Sequence, residues 1–203
     1  MIPTKEIIEH QFLNEDYFLP NWKIETLVLG TFNPNCGERT DYFYGRCRNN
    51  FWRIIENLCR IEYMSLQNNF QGKMYIMKIH KFGCTDVIES IKRQSTVDQI
   101  EFCGSGYSDQ ALFNQTKCKI TYSFQEIKEY LIKNNVKTVI NTWGKRNNPR
   151  EFRESIDDFE SFCSNENINF IRQCPSPSGR LRGKENKQIL TKFYKTHLLQ
   201  PCP

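Results

Sequence analysis

Apolar positions along the chain follow two periodicities. Short apolar runs with β-branched residues predict strands buried in a sheet, and they occupy residues 25–31 (ETLVLGT), 136–141 (VKTVIN) and 168–173 (INFIRQ). Apolar residues at helical spacing predict amphipathic helices over residues 48–60, 124–134, 149–163 and 184–199. Residues 73–79 and 83–88 fit either state, so the pattern leaves both segments unassigned.

The order of these elements predicts the fold class. Strands that alternate with helices of ten or more residues imply right-handed crossovers and a mostly parallel sheet covered on both faces. We therefore expect an α/β protein, a three-layer α/β/α arrangement with a central, mostly parallel sheet of about four strands. The chain shows no internal repeat and no linker long enough to divide it, which predicts a single domain over residues 1–203.

Composition adds limited information. With 38% hydrophobic and 13% aromatic residues, the chain is too rich in aromatics for a disordered protein. The net charge of +5 is compatible with a polyanionic partner without requiring one. No apolar stretch approaches a membrane span, and no basic-then-apolar signal segment is found, so we expect no membrane partner and a cytoplasmic location, at the nucleoid if the source is bacterial. The nine cysteines include no CxxC pair, which favours reduced, mostly buried thiols over a zinc or iron–sulfur site.

Two loops at predicted strand ends are candidates for a functional site. In open α/β sheets, ligands bind beyond the carboxyl ends of the strands. The first loop covers residues 31–37 (TFNPNCG) and the second covers residues 174–180 (CPSPSGR). Proline and small polar residues at a strand end leave backbone amides unpaired on a stiff turn that can approach a ligand closely. Simple proline-rich turns would show the same composition.

Three motifs, in this order, resemble the uracil-DNA glycosylase superfamily: LVLGTFNPN at residues 27–35, YFYGRCRNNFWRI at residues 42–54, and CPSPSGR at residues 174–180. The first and third are similar to the mismatch-specific uracil/thymine-DNA glycosylase-like branch. The second, together with residues 85–88 (TDVI) and 95–98 (STVD), is similar to the hypoxanthine-DNA glycosylase-like branch.

The resemblance implies an activity. It is that of a monofunctional DNA N-glycosylase, a hydrolase of N-glycosyl bonds in base excision repair. Such an enzyme flips out uracil or a related deaminated base, hydrolyses its N-glycosidic bond and leaves an abasic site. The implied partner is double-stranded DNA containing a damaged or mismatched base. The resemblance further implies a monomer with no cofactor and no metal.

The same resemblance implies two catalytic residues. Asn33 would orient a water towards the sugar C1′ through its amide. An amide is a poor general base, so we expect modest rates and a preference for good leaving groups. Asn49 would read the base edge or assist the water. Each has a plain alternative: Asn33 can form an Asx-turn before Pro34, and Asn49 can cap the following helix.

Base binding is implied for five further residues. In the first loop they are Thr31, Phe32 and Pro34, and in the second motif Phe43, or Tyr44 beside it, would stack on the flipped base. Because aromatic runs usually pack inward, Phe43 and Tyr44 can instead both belong to the core. Phe51 and Trp52 lie at core spacing on the predicted helix, and we assign them to packing.

The second loop would contact the DNA. Ser176 and Ser178 can offer hydroxyls and backbone amides to phosphates, with Gly179 between them and the wedge. The wedge itself is predicted at residues 180–182, where Leu181 fills the gap left by the flipped nucleotide while Arg180 and Arg182 bind phosphate or the widowed base. Lys184 extends this positive edge. A solvated basic turn is the alternative, and Lys145 and Arg146 are equally consistent with DNA contact or ordinary surface charge.

The chain departs from the family pattern at several positions. The most active relatives have an Asp after the first strand and a His opening the second loop, where this chain has Asn33 and Cys174, and its three histidines all lie outside both loops. Asn35 stands in place of a Gly, and Arg46 and Cys47 in place of His and Pro. The main alternative is therefore a non-catalytic DNA-binding member of the same fold. A third is an unrelated α/β enzyme or interaction module, such as one acting on free nucleosides.

Overall fold

The computed structural model describes residues 7–36, 39–46, 49–62, 64–93, 118–142, 150–172, 174–175, 177 and 184–199. Within these ranges the chain alternates between strands and helices for most of its length. In order, the elements are β1 (Ile7–Glu9), β2 (Thr26–Gly30), α1 (Phe51–Cys59), α2 (Phe70–Ile79), β3 (Phe82–Asp86), β4 (Ile88–Arg93), β5 (Cys118–Tyr122), α3 (Phe124–Lys133), β6 (Thr138–Asn141), α4 (Arg150–Asn165), β7 (Asn169–Ile171) and α5 (Lys184–His197).

A four-stranded parallel sheet forms the centre, in the order β3-β2-β6-β7. All five residues of β2 are buried, as expected for an inner strand covered on both faces. Its last residue, Gly30, is in register with Asp86 of β3, and Leu29 is in register with Asn141 of β6. The carboxyl ends of these strands therefore meet at one edge of the sheet.

Helices cover both faces of this sheet. Leu27 and Leu29 point to one face, where they join a hydrophobic cluster with residues of α3 and α4. Val28, between them, points to the other face and joins a second cluster with α1, α2 and α5. Side chains that alternate along a strand point to opposite faces, so one short strand contributes to both cores. The predicted α/β/α arrangement with about four parallel strands is confirmed.

A second, antiparallel sheet in the order β1-β4-β5 was not part of the prediction. Strand β4 begins only one residue after β3 ends, so the unassigned segment 83–88 divides between the two sheets. The turn is fixed by the first loop, since the Val87 N–H donates to the Gly30 carbonyl at 3.2 Å and the Ile88 N–H to the Thr31 carbonyl at 3.1 Å.

Local capping explains the other unassigned segment. Residues 73–79 belong to α2, which begins where the Asn69 side chain accepts a hydrogen bond from the Gly72 N–H at 2.9 Å.

Five described cysteines, Cys59, Cys84, Cys118, Cys163 and Cys174, are free thiols as expected, whereas Cys36 is disulfide-bonded. None of the helices in the described ranges is long and apolar enough to cross a membrane.

Candidate active site

The predicted motifs meet at the carboxyl edge of the parallel sheet. The first loop follows β2, the second follows β7, and the turn that starts α1 lies against the second loop. The contact is direct, because the Asn50 N–H donates to the Pro177 carbonyl at 2.8 Å. The structure therefore brings together three segments that are far apart in sequence, at the position where open α/β sheets bind ligands.

The first loop is held by the chain segment that follows β1. The Asn33 carbonyl accepts a hydrogen bond from the Gln11 N–H at 2.6 Å, and Pro34 pairs with His10 in an isolated antiparallel bridge. Thr31 and Asn33 are buried, with 7% and 9% of their surfaces exposed. No hydrogen bond of the Asn33 side chain is found within the described ranges, so the alternative Asx-turn is not observed there. Its amide is thus placed by the backbone and stays available.

Two oxygen atoms converge on Gly30 at the end of β2. A methyl group on Gly30 would lie 2.0 Å from Oδ1 of Asp86 and 3.0 Å from the hydroxyl oxygen of Tyr44. Only glycine leaves room for this approach. The Tyr44 hydroxyl also lies 3.1 Å from Oγ1 of Thr142, which itself donates to the Leu29 carbonyl at 2.9 Å. Because that bond uses the single hydroxyl hydrogen of Thr142, Tyr44 is the donor of the pair.

Asp86 is held from the other side by His10. Nε2 of His10 lies 2.8 Å from Oδ2 of Asp86, and the two side chains are 0% and 6% exposed. Nδ1 of the same ring accepts the Phe12 N–H at 3.0 Å. Nδ1 therefore carries no proton, and the ring proton lies on Nε2 and points at Asp86.

This pair is not among the site residues that the sequence predicts. Asp86 stands in the TDVI segment that contributed to the family resemblance, which was a signal, but nothing in the sequence around His10 pointed to this edge. The two residues are 76 positions apart, and the pairing of β1 with β4 helps to bring them together. A carboxylate and an imidazole are thus present at the carboxyl edge, although neither stands in the two loops that carry the resemblance.

The aromatic candidates differ in accessibility. Phe43 is completely buried, and its ring packs against those of His10 and Phe12, with centroids 5.5 and 5.0 Å apart. Stacking on a base would require it to leave this core. Tyr44 remains partly exposed, adopts a left-handed backbone with φ of 59°, and stacks on Phe51 at 4.6 Å. Burial of its hydroxyl raises the pKa of Tyr44 well above its usual value, so the group remains a donor.

The other first-loop candidates are also packed. Phe32 is 5% exposed and lies edge-on to His10, with ring centroids 5.8 Å apart, and Pro34 is buried. The Phe32 ring therefore serves the core, and its backbone is what remains for a ligand. Phe51 and Trp52 are buried, in agreement with their assignment to packing.

The turn before α1 is rigid. Oδ1 of Asn49 accepts the Phe51 N–H at 2.9 Å in an Asx-type turn. The N-cap residue of α1 is Asn50, whose side chain makes no capping hydrogen bond, and a role of Asn49 in base reading stays a prediction. Upstream, Nζ of the fully buried Lys73 lies 2.6 Å from Oδ2 of Asp41 and 5.5 Å from the centre of the Trp52 ring. Burial lowers the pKa of Lys73, and the hydrogen bond to Asp41 opposes that shift. This pair joins the segment that precedes α1 to α2.

The predicted wedge and the serines before it belong to the second loop and the residues directly after it. Ser176, Ser178, Gly179, Arg180, Leu181 and Arg182 lie outside the described residues, and Lys184 is described only as the first residue of α5. Cys174 is 2% exposed, and burial raises its pKa to about 12, so its thiol does not replace the missing imidazole as a base. Among the described residues, no group of three or more His, Cys, Asp or Glu side chains could hold a metal ion.

Comparison with known proteins gives one informative likeness. No family model matches the chain. Over 74 residues, 36% of its length, the chain is 30% identical to a protein named hypoxanthine DNA glycosylase from Methanosarcina barkeri (strain Fusaro / DSM 804). The match covers 46% of that protein, a little under half of its length. The likeness supports a relationship to DNA glycosylases in general and does not distinguish between the branches named above.

Proposed function

We propose that the chain is a monofunctional DNA glycosylase that removes a deaminated base, uracil or hypoxanthine, from double-stranded DNA. The observation that carries the proposal is the position of Asn33. Its amide is available at the carboxyl edge of the sheet, on a loop whose backbone is fixed by Gln11, in a chain that is similar to a DNA glycosylase over 74 residues. We expect a monomer that works in the cytoplasm, at the nucleoid if the source is bacterial.

The reaction needs few groups. The bond between C1′ and the base nitrogen breaks, its electron pair leaves with the base, and a water adds to C1′ to give an abasic site. The Asn33 amide orients that water, and holding it in line with the breaking bond is the main contribution of an amide. Good leaving groups are then favoured, because the base must depart with little assistance.

Tyr44 is the better placed of the two stacking candidates. It is partly exposed and its ring is held against Phe51, whereas Phe43 lies in the core. A left-handed backbone is strained for a bulky residue and costs about 1–3 kcal/mol, and such strain is concentrated at functional sites. The second loop would grip the DNA, and the net charge of +5 favours its approach.

A second candidate function is DNA binding without catalysis. Asn33 and Cys174 stand where the most active relatives have an Asp and a His, and burial raises the pKa of the Cys174 thiol to about 12. A protein of this kind would bind damaged DNA in a salt-dependent manner and release no base.

Alkali-revealed strand cleavage separates the two. End-labelled duplexes carrying uracil, hypoxanthine or a mismatched thymine are incubated with the wild type, with Asn33→Ala and with Asn134→Ala. The last is a matched control, since Asn134 ends α3 at the opposite edge of the sheet. We expect cleavage at uracil or hypoxanthine by the wild type and by Asn134→Ala, and none by Asn33→Ala. Salt-sensitive binding with no cleavage of any duplex would select the non-catalytic function.

A further inference from the structure

The buried pair of His10 and Asp86 has no role in the mechanism given so far. It lies at the same edge as Asn33, where Asp86 is the last residue of β3 and is in register with Gly30. His10 engages Oδ2, whereas Oδ1 is directed over Gly30. The His10 side chain is fully buried and that of Asp86 is 6% exposed, so the carboxylate lies at the boundary of the core with a small part of its surface accessible.

Hydrogen bonding defines the chemical state of the pair. The Phe12 N–H occupies Nδ1 of His10, so the ring cannot turn its other nitrogen towards Asp86 without losing that bond. Nε2–H therefore donates to Oδ2 and fixes the orientation of the carboxylate. Oδ2 accepts this bond, and no hydrogen bond to Oδ1 is found within the described ranges.

The segment around His10 joins Asp86 to Asn33. The His10 side chain binds Asp86, while the next residue, Gln11, donates its N–H to the Asn33 carbonyl at 2.6 Å. A displacement of this segment would move both groups together. The amide of Asn33 and the carboxylate of Asp86 are thus positioned by a shared piece of backbone.

We propose that Asp86 is the general base of this site and that His10 is its positioning residue. The inference rests on the proposed glycosylase function. As the water held by Asn33 attacks C1′, its oxygen forms the new C–O bond and one of its protons passes to Oδ1 of Asp86. The C1′–N bond breaks, its electron pair leaves with the base, and the base takes up a proton from solvent.

The chemistry of the two side chains supports the role of Asp86 as the base and of Asn33 as the group that orients the water. A carboxylate accepts a proton in the transition state, whereas an amide only orients the water. Catalysis by a positioned base is worth about 10²–10⁴-fold in rate. The absence of an Asp at the position of Asn33 is then compensated by an Asp from the neighbouring strand.

Few titratable groups within the described ranges face Asp86. They are His10 from the segment after β1, Tyr44 from the loop before α1 and Cys84 from β3 itself. Burial raises the pKa of Tyr44 and of Cys84 well above their usual values, so both keep their protons through the acidic and neutral range. Tyr44 and Cys84 therefore do not change their charge in the pH range of the test.

The test uses Asp86→Asn, which preserves the shape and the acceptor for the His10 N–H while removing the charge. Single-turnover rates are measured across the acidic and neutral range on the duplex that the wild type cleaves. We expect the wild-type rate to fall as the pH is lowered and the base becomes protonated. We expect Asp86→Asn to be slower by about 10²-fold or more, with a flat profile and with DNA affinity within a few fold of the wild type.

Two further variants complete the design. Thr85→Val is the matched control, since it alters the adjacent buried residue of β3, and we expect an unchanged profile. The Thr85 hydroxyl has no hydrogen-bond partner in the part of the chain that the structure describes. His10→Gln leaves the carboxylate in place and removes the imidazole. We expect the fall of its single-turnover rate on the acidic side to occur at a different pH from that of the wild type. This second measurement carries the test if Asp86→Asn does not fold.

The outcomes separate this inference from the proposed function. An active wild type together with an Asp86→Asn variant of equal rate and unchanged pH profile would overturn the base role and leave the glycosylase intact. A slower Asp86→Asn variant that keeps the wild-type acidic limb would also overturn it, because Asp86 would then be only structural. A wild type that binds DNA and releases no base would overturn the proposed function and the base role together.

Discussion

The Tyr44 hydroxyl donates a hydrogen bond to Oγ1 of Thr142, 3.1 Å away, and so joins the loop before α1 to the end of β6. The two residues are 98 positions apart in the chain. The bond holds the Tyr44 ring against Phe51 while its backbone stays in the left-handed region. The proposed stacking surface is therefore fixed before any base arrives, which lowers the entropic cost of binding one.

Removing the Tyr44 hydroxyl tests the role of its hydrogen bond separately from the role of its ring. Tyr44→Phe should reduce the free energy of unfolding by about 1 kcal/mol, the net value of a typical hydrogen bond. In a protein of 203 residues this lowers Tm by about 2–4 °C, measurable by calorimetry. Base release should stay within a few fold of the wild type, because the ring still stacks on Phe51. Tyr44→Ala, which removes the whole ring, is measured beside it. If Tyr44→Phe lost as much base release as Tyr44→Ala, the hydroxyl itself would contact the substrate.

Gly30 is the most sensitive position at the strand end. In Gly30→Ala the new methyl group would lie 2.0 Å from Oδ1 of Asp86 and 3.0 Å from the Tyr44 hydroxyl oxygen, so both side chains must move. Overpacking of this kind costs about 1–3 kcal/mol of stability. We expect base release to be lost from the folded protein, as measured by single-turnover excision below Tm.

Gly83→Ala provides the matched control for that prediction. Its methyl group would lie 2.2 Å from Cγ of Pro20, a comparable clash at the opposite end of the sheet. The variant should be destabilised to a similar extent and should excise at the wild-type rate while folded. Equal losses of activity in both variants would mean that Gly30→Ala acts through the fold rather than through Asp86.

The buried thiol of Cys163 should make the stability of the protein sensitive to alkali. Burial raises the pKa of its thiol from 9.0 to about 12, so the folded protein keeps a proton that the unfolded chain releases. The contribution of Cys163 to the free energy of unfolding is therefore constant below pH 9. It falls as the pH rises from 9 towards 12, because unfolding then releases a proton from this thiol. Denaturant titrations under reducing conditions should show a decline that Cys163→Ala makes shallower, by up to about 1.4 kcal/mol per pH unit. Identical slopes would contradict this assignment.

The predicted wedge at Leu181 can be tested without knowing its position. Leu181→Ala should slow base release from duplex DNA more than from single-stranded DNA, because only the duplex must be held open after the base leaves. The comparison uses single-turnover rates on the same labelled strand with and without its complement. Equal slowing on both substrates would remove the wedge role and leave a basic turn.

Much of the central sheet could be predicted because its strands are continuous apolar runs. Strand β2 is five consecutive buried residues, and the apolar faces of α1 and α3 follow helical spacing closely. The antiparallel sheet was missed because β1 has three residues, too few to show a periodicity. Residues 83–88 were ambiguous because they contain the end of one sheet and the start of another.

Candidate site residues were predictable only where a motif contained them. Asn33 and Asn49 belong to motifs and lie at the expected edge of the sheet. His10 could not be found, because its position depends on the pairing of β1 with β4 and on a hydrogen bond to a residue 76 positions away. Burial also cannot be derived from a motif: Phe43 and Tyr44 are neighbours in sequence, yet one is fully buried and the other is partly exposed.

Direct detection of the released base is the sharpest test of the proposed glycosylase activity. Duplexes containing uracil or hypoxanthine are incubated with the wild type or with Asn33→Ala, and the free base and both strands are measured by mass spectrometry. We expect the wild type to yield free uracil or hypoxanthine and an intact strand lacking that base, and Asn33→Ala to yield neither. Undiminished release by Asn33→Ala, or binding of the duplex by the wild type with no free base from either substrate, would contradict this expectation.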